Sequence, residues 1–302
     1  MPIILDKLMS LQLPEVTQTY NTRDCIIYAL GCGAGLGDED GDDLLYVYEK
    51  GLRVLPTMAT VLAHPGFWIR DLNTGIDWTN VVHGEQSLTL HRPLAPEGTL
   101  VGVHRIIEVQ DKGKDRGALV LWERKLYDQP SGELVATMGQ ASFCRNDGGF
   151  GGPIAPPQPR ASMPQGTPDA ELLVPTSRQS AMIYRLSGDL NPLHIEPDLA
   201  RHAGFLRPIL HGLATFGATC RSLIQCLGPG NPDSLKTMSG RFSAPIFPGE
   251  TLRVQVWRDH PAPAFRVDVV ERNVTVLNHG HVTLSPSDST SDASAAAAKG
   301  RD

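Results

Sequence analysis

Two copies of one pattern run through this chain, and that repeat constrains the fold more than any other feature. Tyr28-Ala29-Leu30-Gly31-Cys32-Gly33 aligns with Tyr184-Arg185-Leu186-Ser187-Gly188-Asp189. At nearly the same offset, Pro93 to Leu100 aligns with Pro245 to Leu252, and a weaker match pairs Val135 to Ser142 with Val276 to Thr283. A repeat of this length means two copies of a whole fold, not a solenoid of short units. Within each copy a helical stretch comes first and alternating runs follow. Leu213 to Leu227 is apolar around most of its circumference, which predicts a helix buried on nearly all sides. Gly228-Pro229-Gly230 stops it. Thr251 to Trp257, Phe265 to Glu271 and Val274 to Leu277 then alternate like half-buried strands. The first copy shows runs of the same kind at Ser87 to His91, Leu100 to Glu108, Ala118 to Leu126 and Glu133 to Phe143. An early helix followed by consecutive strands predicts an α+β fold with an antiparallel sheet curved around the helix.

The copies are expected at residues 1–150 and 170–285. Between them lies a Gly/Pro-rich linker, 151–169, within the break that begins NDGGFGGPIAPPQPR at Asn146; such density cannot hold a regular element. Residues 286–302 are small and polar, and disorder is the expectation there. A chain of 302 residues, 41% hydrophobic and 20% charged, can bury a core without metals or disulfide staples. Its net charge of -6 argues against a broad nucleic-acid surface. Five cysteines with no CxxC spacing predict reduced thiols in a reducing compartment. No apolar run is long enough to span a membrane. The N-terminal stretch lacks the pattern of a secretion signal, and the terminal Lys299-Gly300-Arg301-Asp302 is not the peroxisomal Ser-Lys-Leu address. A cytoplasmic location is therefore expected, with the peroxisome as the alternative.

The segment richest in chemistry is YRLSGDLNPLHIEPDLARHAGFLRPILHG, Tyr184 to Gly212. Asp189 and His194 flank a Pro-bounded turn, so both can point into one cleft, whereas on a regular helix they would share a face poorly. A carboxylate and an imidazole are the pair needed for acid/base work near neutral pH. Asn191 offers a donor and an acceptor to orient a water or a substrate oxygen. Gly212 opens the apolar helix, where free N–H groups and the helix dipole suit a developing oxyanion. Each residue also has a bland reading. An Asp–His pair in a turn is commonly a cap and a solvated histidine. His202 and His211 are read as structural, His279 and His281 as the exposed face of a strand, and Glu196 and Asp198 as first-turn helix charges.

The unbroken run Ser187-Gly188-Asp189-Leu190-Asn191-Pro192-Leu193-His194 resembles the signature of the 2-enoyl-CoA hydratase 2 family of MaoC-like dehydratases. Ala203-Gly204-Phe205, Pro208 to Leu213, Leu55-Pro56-Thr57 and His83-Gly84-Glu85-Gln86 extend the likeness from about residue 20 to 285. The resemblance implies a double hot dog: two repeats, each a long central helix wrapped by a curved antiparallel sheet. Only the second repeat would be catalytic, because Gly33 stands where the repeat places Asp189. The first would house the acyl chain. Asp189 and His194 would be the catalytic pair, and His83, Gly84, Lys112, Asn191, Gly212 and Phe242 would contact substrate. Lys112 would meet a CoA phosphate; a solvated loop lysine is its plain alternative. Glu49 and Tyr28 match positions that matter in relatives, with a structural role equally able to explain them. The implied activity is hydration of trans-2-enoyl-CoA to (3R)-3-hydroxyacyl-CoA in fatty acid metabolism, with no metal or redox cofactor and a homodimeric assembly. A hot dog acyl-CoA thioesterase and a non-catalytic acyl-CoA binding protein are the rival readings.

Overall fold

A computed structural model describes residues 3–37, 41–153, 163–228, 230–258 and 262–285; the stretch 286–302 and the middle of the linker lie outside them. The first half contributes β1 (Val16–Tyr20), β2 (Val81–Leu90), β3 (Gly98–Asp111), β4 (Ala118–Asp128) and β5 (Leu134–Cys144). The second contributes β6 (Ala170–Pro175), β7 (Leu235–Phe242), β8 (Thr251–Trp257), β9 (Ala264–Val269) and β10 (Val274–Leu284). All ten join one sheet in the order β1-β3-β4-β5-β2-β7-β10-β9-β8-β6. The order is the same from either edge, as two copies of one fold related by a pseudo-twofold axis require. The axis passes through the antiparallel seam of β2 and β7, where Glu85 faces Arg241 and Thr89 faces Thr237. Period-two burial decides which side faces inward: in β4, Ala118, Val120, Trp122, Arg124 and Leu126 are buried and their neighbours are not.

The helix Gly212–Leu227 lies in the hollow of this sheet, with every residue from Ala214 to Ile224 buried. Several of its polar side chains are paired. Thr219 donates to the Thr215 carbonyl at 2.8 Å, and Ser222 to that of Thr219 at 2.9 Å. Arg221 pairs at 2.6 Å with Asp43, a buried carboxylate from the first half that also accepts the Gly35 N–H at 2.8 Å. The sheet and helix agree with the expected double hot dog.

A long central helix in both repeats does not hold. In the first, its place is taken by a single 3-10 turn, Pro56–Thr60. Pro65-Gly66 bars extension, and Ala63 already leaves helical space at φ 45. Two inward-facing polar side chains receive the carbonyls this short turn leaves over. Arg124 donates to Ala59 and Thr60, and His104 contacts the Ala63 carbonyl at 3.1 Å. Burial pushes the Arg124 guanidinium down to about 9.

Near the axis the helix Thr22–Gly31 packs on the short helix Ser180–Tyr184. Asn21 starts the former with a capping box, its side chain accepting from Arg23 N–H while Asp24 accepts from Asn21 N–H, each at 2.9 Å. Tyr28 and Tyr184, the paired residues of the repeat, meet ring to ring at 5.6 Å. The described start of the linker is pinned rather than loose: the Asp111 carboxylate accepts the N–H groups of Gly113, Gly149 and Gly151 at 2.7–2.9 Å. Among the described residues no helix is long and apolar enough to cross a membrane.

Candidate active site

The chain reaches the site through a sharp reversal. After the 3-10 turn Arg185–Ser187, Gly188 sits at φ 120, a conformation that strains any side-chain-bearing residue. Asp189 follows, its carboxylate accepting the Asn191 N–H at 3.2 Å. Asn191 caps the next 3-10 turn, Pro192–His194, by accepting the Leu193 N–H at 3.1 Å. Its oxygen is thus committed, and the side-chain NH2 makes no hydrogen bond among the described residues. His194, at the end of that turn, bonds through Nδ1 to the Ile209 carbonyl at 2.9 Å. A carbonyl only accepts, so Nδ1 carries the hydrogen and Nε2 keeps its lone pair. Burial holds His194 below the usual imidazole range, opposed by the Asp189 carboxylate beside it.

Asp189 and His194 each bring an atom within 4.8 Å of the other and of one from His211. Two groups so spaced can both bond one water, since each such bond spans roughly 2.8 Å. His211 is fully buried, and its ring stacks on His194 with centroids 3.6 Å apart and planes at 26°. Lone pairs lie in the ring plane, so stacked imidazoles do not converge on a single tetrahedral metal ion. Asp189 and His194 are the two of these groups with an exposed carboxylate and a free ring nitrogen suited to acid/base work.

Gly212 begins the central helix. Among the described residues its N–H and that of Leu213 have no protein acceptor, which leaves two donors at the positive end of the helix. A side chain at Gly212 would press on Phe242, whose Cε1 lies 3.2 Å from an ideal Cβ. The Phe242 ring in turn meets His83 edge-on at 4.8 Å. His83 belongs to the other repeat and arrives through the seam, because β2 runs beside β7. A bulge makes room: His83 pairs with Ser142 and Glu85 with Ala141, so Gly84 is the extra residue. His83 Nε2 contacts the Glu85 carbonyl at 3.2 Å, and burial pushes the imidazole down to about 4 against the pull of Asp189.

The structure thus brings together Asp189, His194, Asn191, Gly212, Phe242, His83 and Gly84. It does not bring Lys112 to them. Lys112 follows β3, three strands from β2, with Nζ bonded to Gln110 at 2.7 Å. Glu49 is exposed, and Tyr28 is fully buried behind Tyr184. The sequence pattern marks His211 as structural, and in the fold it touches both members of the pair. The available signal was its position immediately before Gly212 at the helix start.

A carboxylate, an imidazole and a bare helix end in one repeat of a double hot dog equip the site for acid/base chemistry beside a developing oxyanion. The comparisons narrow it. Residues 160–279 match the MaoC like domain, and residues 18–146 match the MFE-2 hydratase 2 N-terminal domain. The chain is 38% identical over 293 residues to "Enoyl-CoA hydratase 2, peroxisomal" of Arabidopsis thaliana, covering 90% of this chain and 93% of that one. It is 39% identical over 256 residues to "3-hydroxyacyl-thioester dehydratase Y" of Mycobacterium tuberculosis, covering 83% and 86%. Among solved structures, a MaoC-like dehydratase from Phytophthora capsici superposes with a TM-score of 0.82 at 31% identity, covering 96% of this chain and 100% of that one. The chain belongs to the MaoC-like, hydratase 2 family.

Proposed function

We propose that this protein is an (R)-specific enoyl-CoA hydratase, a hydro-lyase that adds water reversibly to trans-2-enoyl-CoA. The observation that carries the reading is the convergence of Asp189 and the Nε2 side of His194 within one water's reach, beside the free N–H groups at Gly212. The pair holds the water over C3 and takes one proton from it as its oxygen attacks. It returns one proton to C2 on the same face, which gives syn addition, while the face of C3 presented to the water sets the (3R) configuration. The two groups titrate as one unit. As C3 is attacked, negative charge moves to the thioester oxygen, which the helix-end N–H groups stabilise by ~3–4 kcal/mol per donor. The Asn191 NH2 would orient the water. This chemistry calls on no metal or redox group.

The substrate class follows from the names of the relatives together with this site, and places the enzyme in fatty acid metabolism. Lys112 fits a role at the CoA phosphates, distant from the reacting carbons, and Lys112→Ala would then raise KM alone. A homodimer is proposed by analogy with the family and is checked by light scattering. Relatives named as peroxisomal favour that compartment over the cytoplasm expected from the sequence.

The test is incubation with trans-2-enoyl-CoA substrates of graded length, followed by chiral analysis of the product. Formation of (3R)-3-hydroxyacyl-CoA without free CoA supports the reading. Thiol release points to a thioesterase, and binding without turnover to an acyl-CoA carrier; either result overturns it.

A further inference from the structure

We propose that His211 is a positioning residue, which holds the Asp189 main chain and the His194 ring in register with the helix end at Gly212. This rests on the assignment of Asp189 and His194 as the acid/base pair. His211 is the residue at which three parts of the site are joined. Its Nε2–H donates to the Asp189 carbonyl at 3.2 Å. The face of its ring is stacked on His194 at 3.6 Å. Its main chain is the N-cap of the central helix, whose next residue is Gly212.

Several features separate this role from ordinary core packing. A helix start favours Ser, Thr, Asp or Asn, whose side chains cap the free N–H groups, and losing such a cap costs ~1 kcal/mol. His211 makes no such cap, so its ring is committed sideways to the catalytic loop. The ring is also backed: Tyr184 lies 4.9 Å from it, and Tyr28 lies 5.6 Å behind Tyr184. These four rings form a column that runs from the acid/base pair to the contact between the two repeats. His194 therefore leans on a support that spans both repeats, although only one repeat is catalytic. Burial, with the charges of His194 and Arg185 nearby, keeps His211 low, near about 3, against the pull of Asp189. A neutral His211 lets its stacked neighbour take up a proton during turnover without repulsion. His211 Nδ1 is buried and has no partner among the described residues, so the ring is held by its Nε2 bond and its two faces.

The test compares His211→Phe, which keeps a stacked ring and loses the N–H, with His211→Gln, whose Nε2 can reach the same carbonyl. Asp189→Asn is the reference, and crotonyl-CoA is the substrate. Expected for His211→Phe is a kcat reduced roughly 10- to 100-fold, the scale of a small misplacement at reacting atoms. Its KM stays within about threefold, because a positioning group acts on the chemical step. His211→Gln recovers several-fold of the lost kcat relative to Phe. A His211→Phe enzyme with kcat within about twofold of the parent overturns the proposal. So does a folded Gln variant no better than Phe, or an effect confined to KM. If His211→Phe does not fold, His211→Leu, which removes both the N–H and the stacked ring, takes its place, and nitrogen NMR of His194 is read beside kcat. Shifted His194 ring signals together with reduced kcat support the proposal. Unchanged signals at unchanged kcat overturn it. Near-normal turnover by Asp189→Asn would instead mean that the acid/base assignment itself is wrong.

Discussion

Replacing Gly212 by alanine separates what the helix end does for catalysis from what it does for folding. The backbone there is not left-handed, so alanine meets no conformational penalty. Its methyl would lie 3.2 Å from Phe242 Cε1 and 3.4 Å from Cδ1 and Cζ, so the ring must yield by a few tenths of an ångström. Phe242 is only partly buried and can give way at a cost of about 1 kcal/mol. Against this, alanine restricts the unfolded chain and returns about 0.4–1 kcal/mol. The two effects nearly cancel, and Tm should move by less than about 4 °C. Activity has no such compensation. Phe242 packs on His83, so the displaced ring disturbs the wall of the site, and the helix-end donors shift relative to the thioester oxygen. Full loss of one donor costs roughly 10²- to 10³-fold, and partial misalignment should cost about 10- to 100-fold in kcat/KM. The assay is the initial rate at which the conjugated thioester absorbance disappears, run beside a thermal melt. A variant with an unchanged melt and kcat/KM within about threefold of the parent would refute the assignment of Gly212 to the oxyanion.

Other predictions follow from charge and burial. His83 is held near 4 from its ordinary 6.5, so the unfolded chain takes up that proton first as pH falls. The stability it contributes is complete above pH 6.5 and is lost between 6.5 and about 4, amounting to about 2 kcal/mol between pH 7 and 5. His211 adds in the same direction. Denaturant midpoints that do not fall over this range would contradict the burial of these rings. The depressed His194 implies that kcat/KM holds down to below pH 6.5 before its acid limb begins; a limb centred above 6.5 would contradict it. Asp43→Ala strands the buried Arg221 and should cost ~3–5 kcal/mol in denaturant unfolding. Asp43→Leu combined with Arg221→Met should recover most of that loss; a single variant as stable as the parent would show the pair to be solvated.

Much of the architecture was legible from local pattern. The repeat predicts a sheet that looks the same from both edges. Alternation in Ala118 to Leu126 marks the inward face of β4, and the apolar circumference of Leu213 to Leu227 marks the covered helix. The long central helix in both repeats came with the family resemblance, and the sequence of the first repeat speaks against it, because Pro65-Gly66 forbids a long helix after Pro56–Thr60. The Asp189 to His194 turn was legible because Gly188, Asn191 and Pro192 fix its shape within a few residues. His211 was not, because its contact with His194 depends on the Ile209 carbonyl, which orients a ring from a different segment. Nor does local pattern place His83 beside Phe242; that contact exists because β2 and β7 share a seam, which is a property of the assembled sheet.

The account stands most directly on the turnover number of Asp189→Asn with crotonyl-CoA, measured on protein shown by circular dichroism to be folded. The substitution preserves shape and removes the ionisable carboxyl of Asp189, whose oxygen lies within 4.8 Å of a ring nitrogen of His194. The predicted result is a fall in kcat of at least about 10³-fold with KM little changed. Hydration at near-parental rates would contradict the account, because the chemistry would then have to reside elsewhere in the protein.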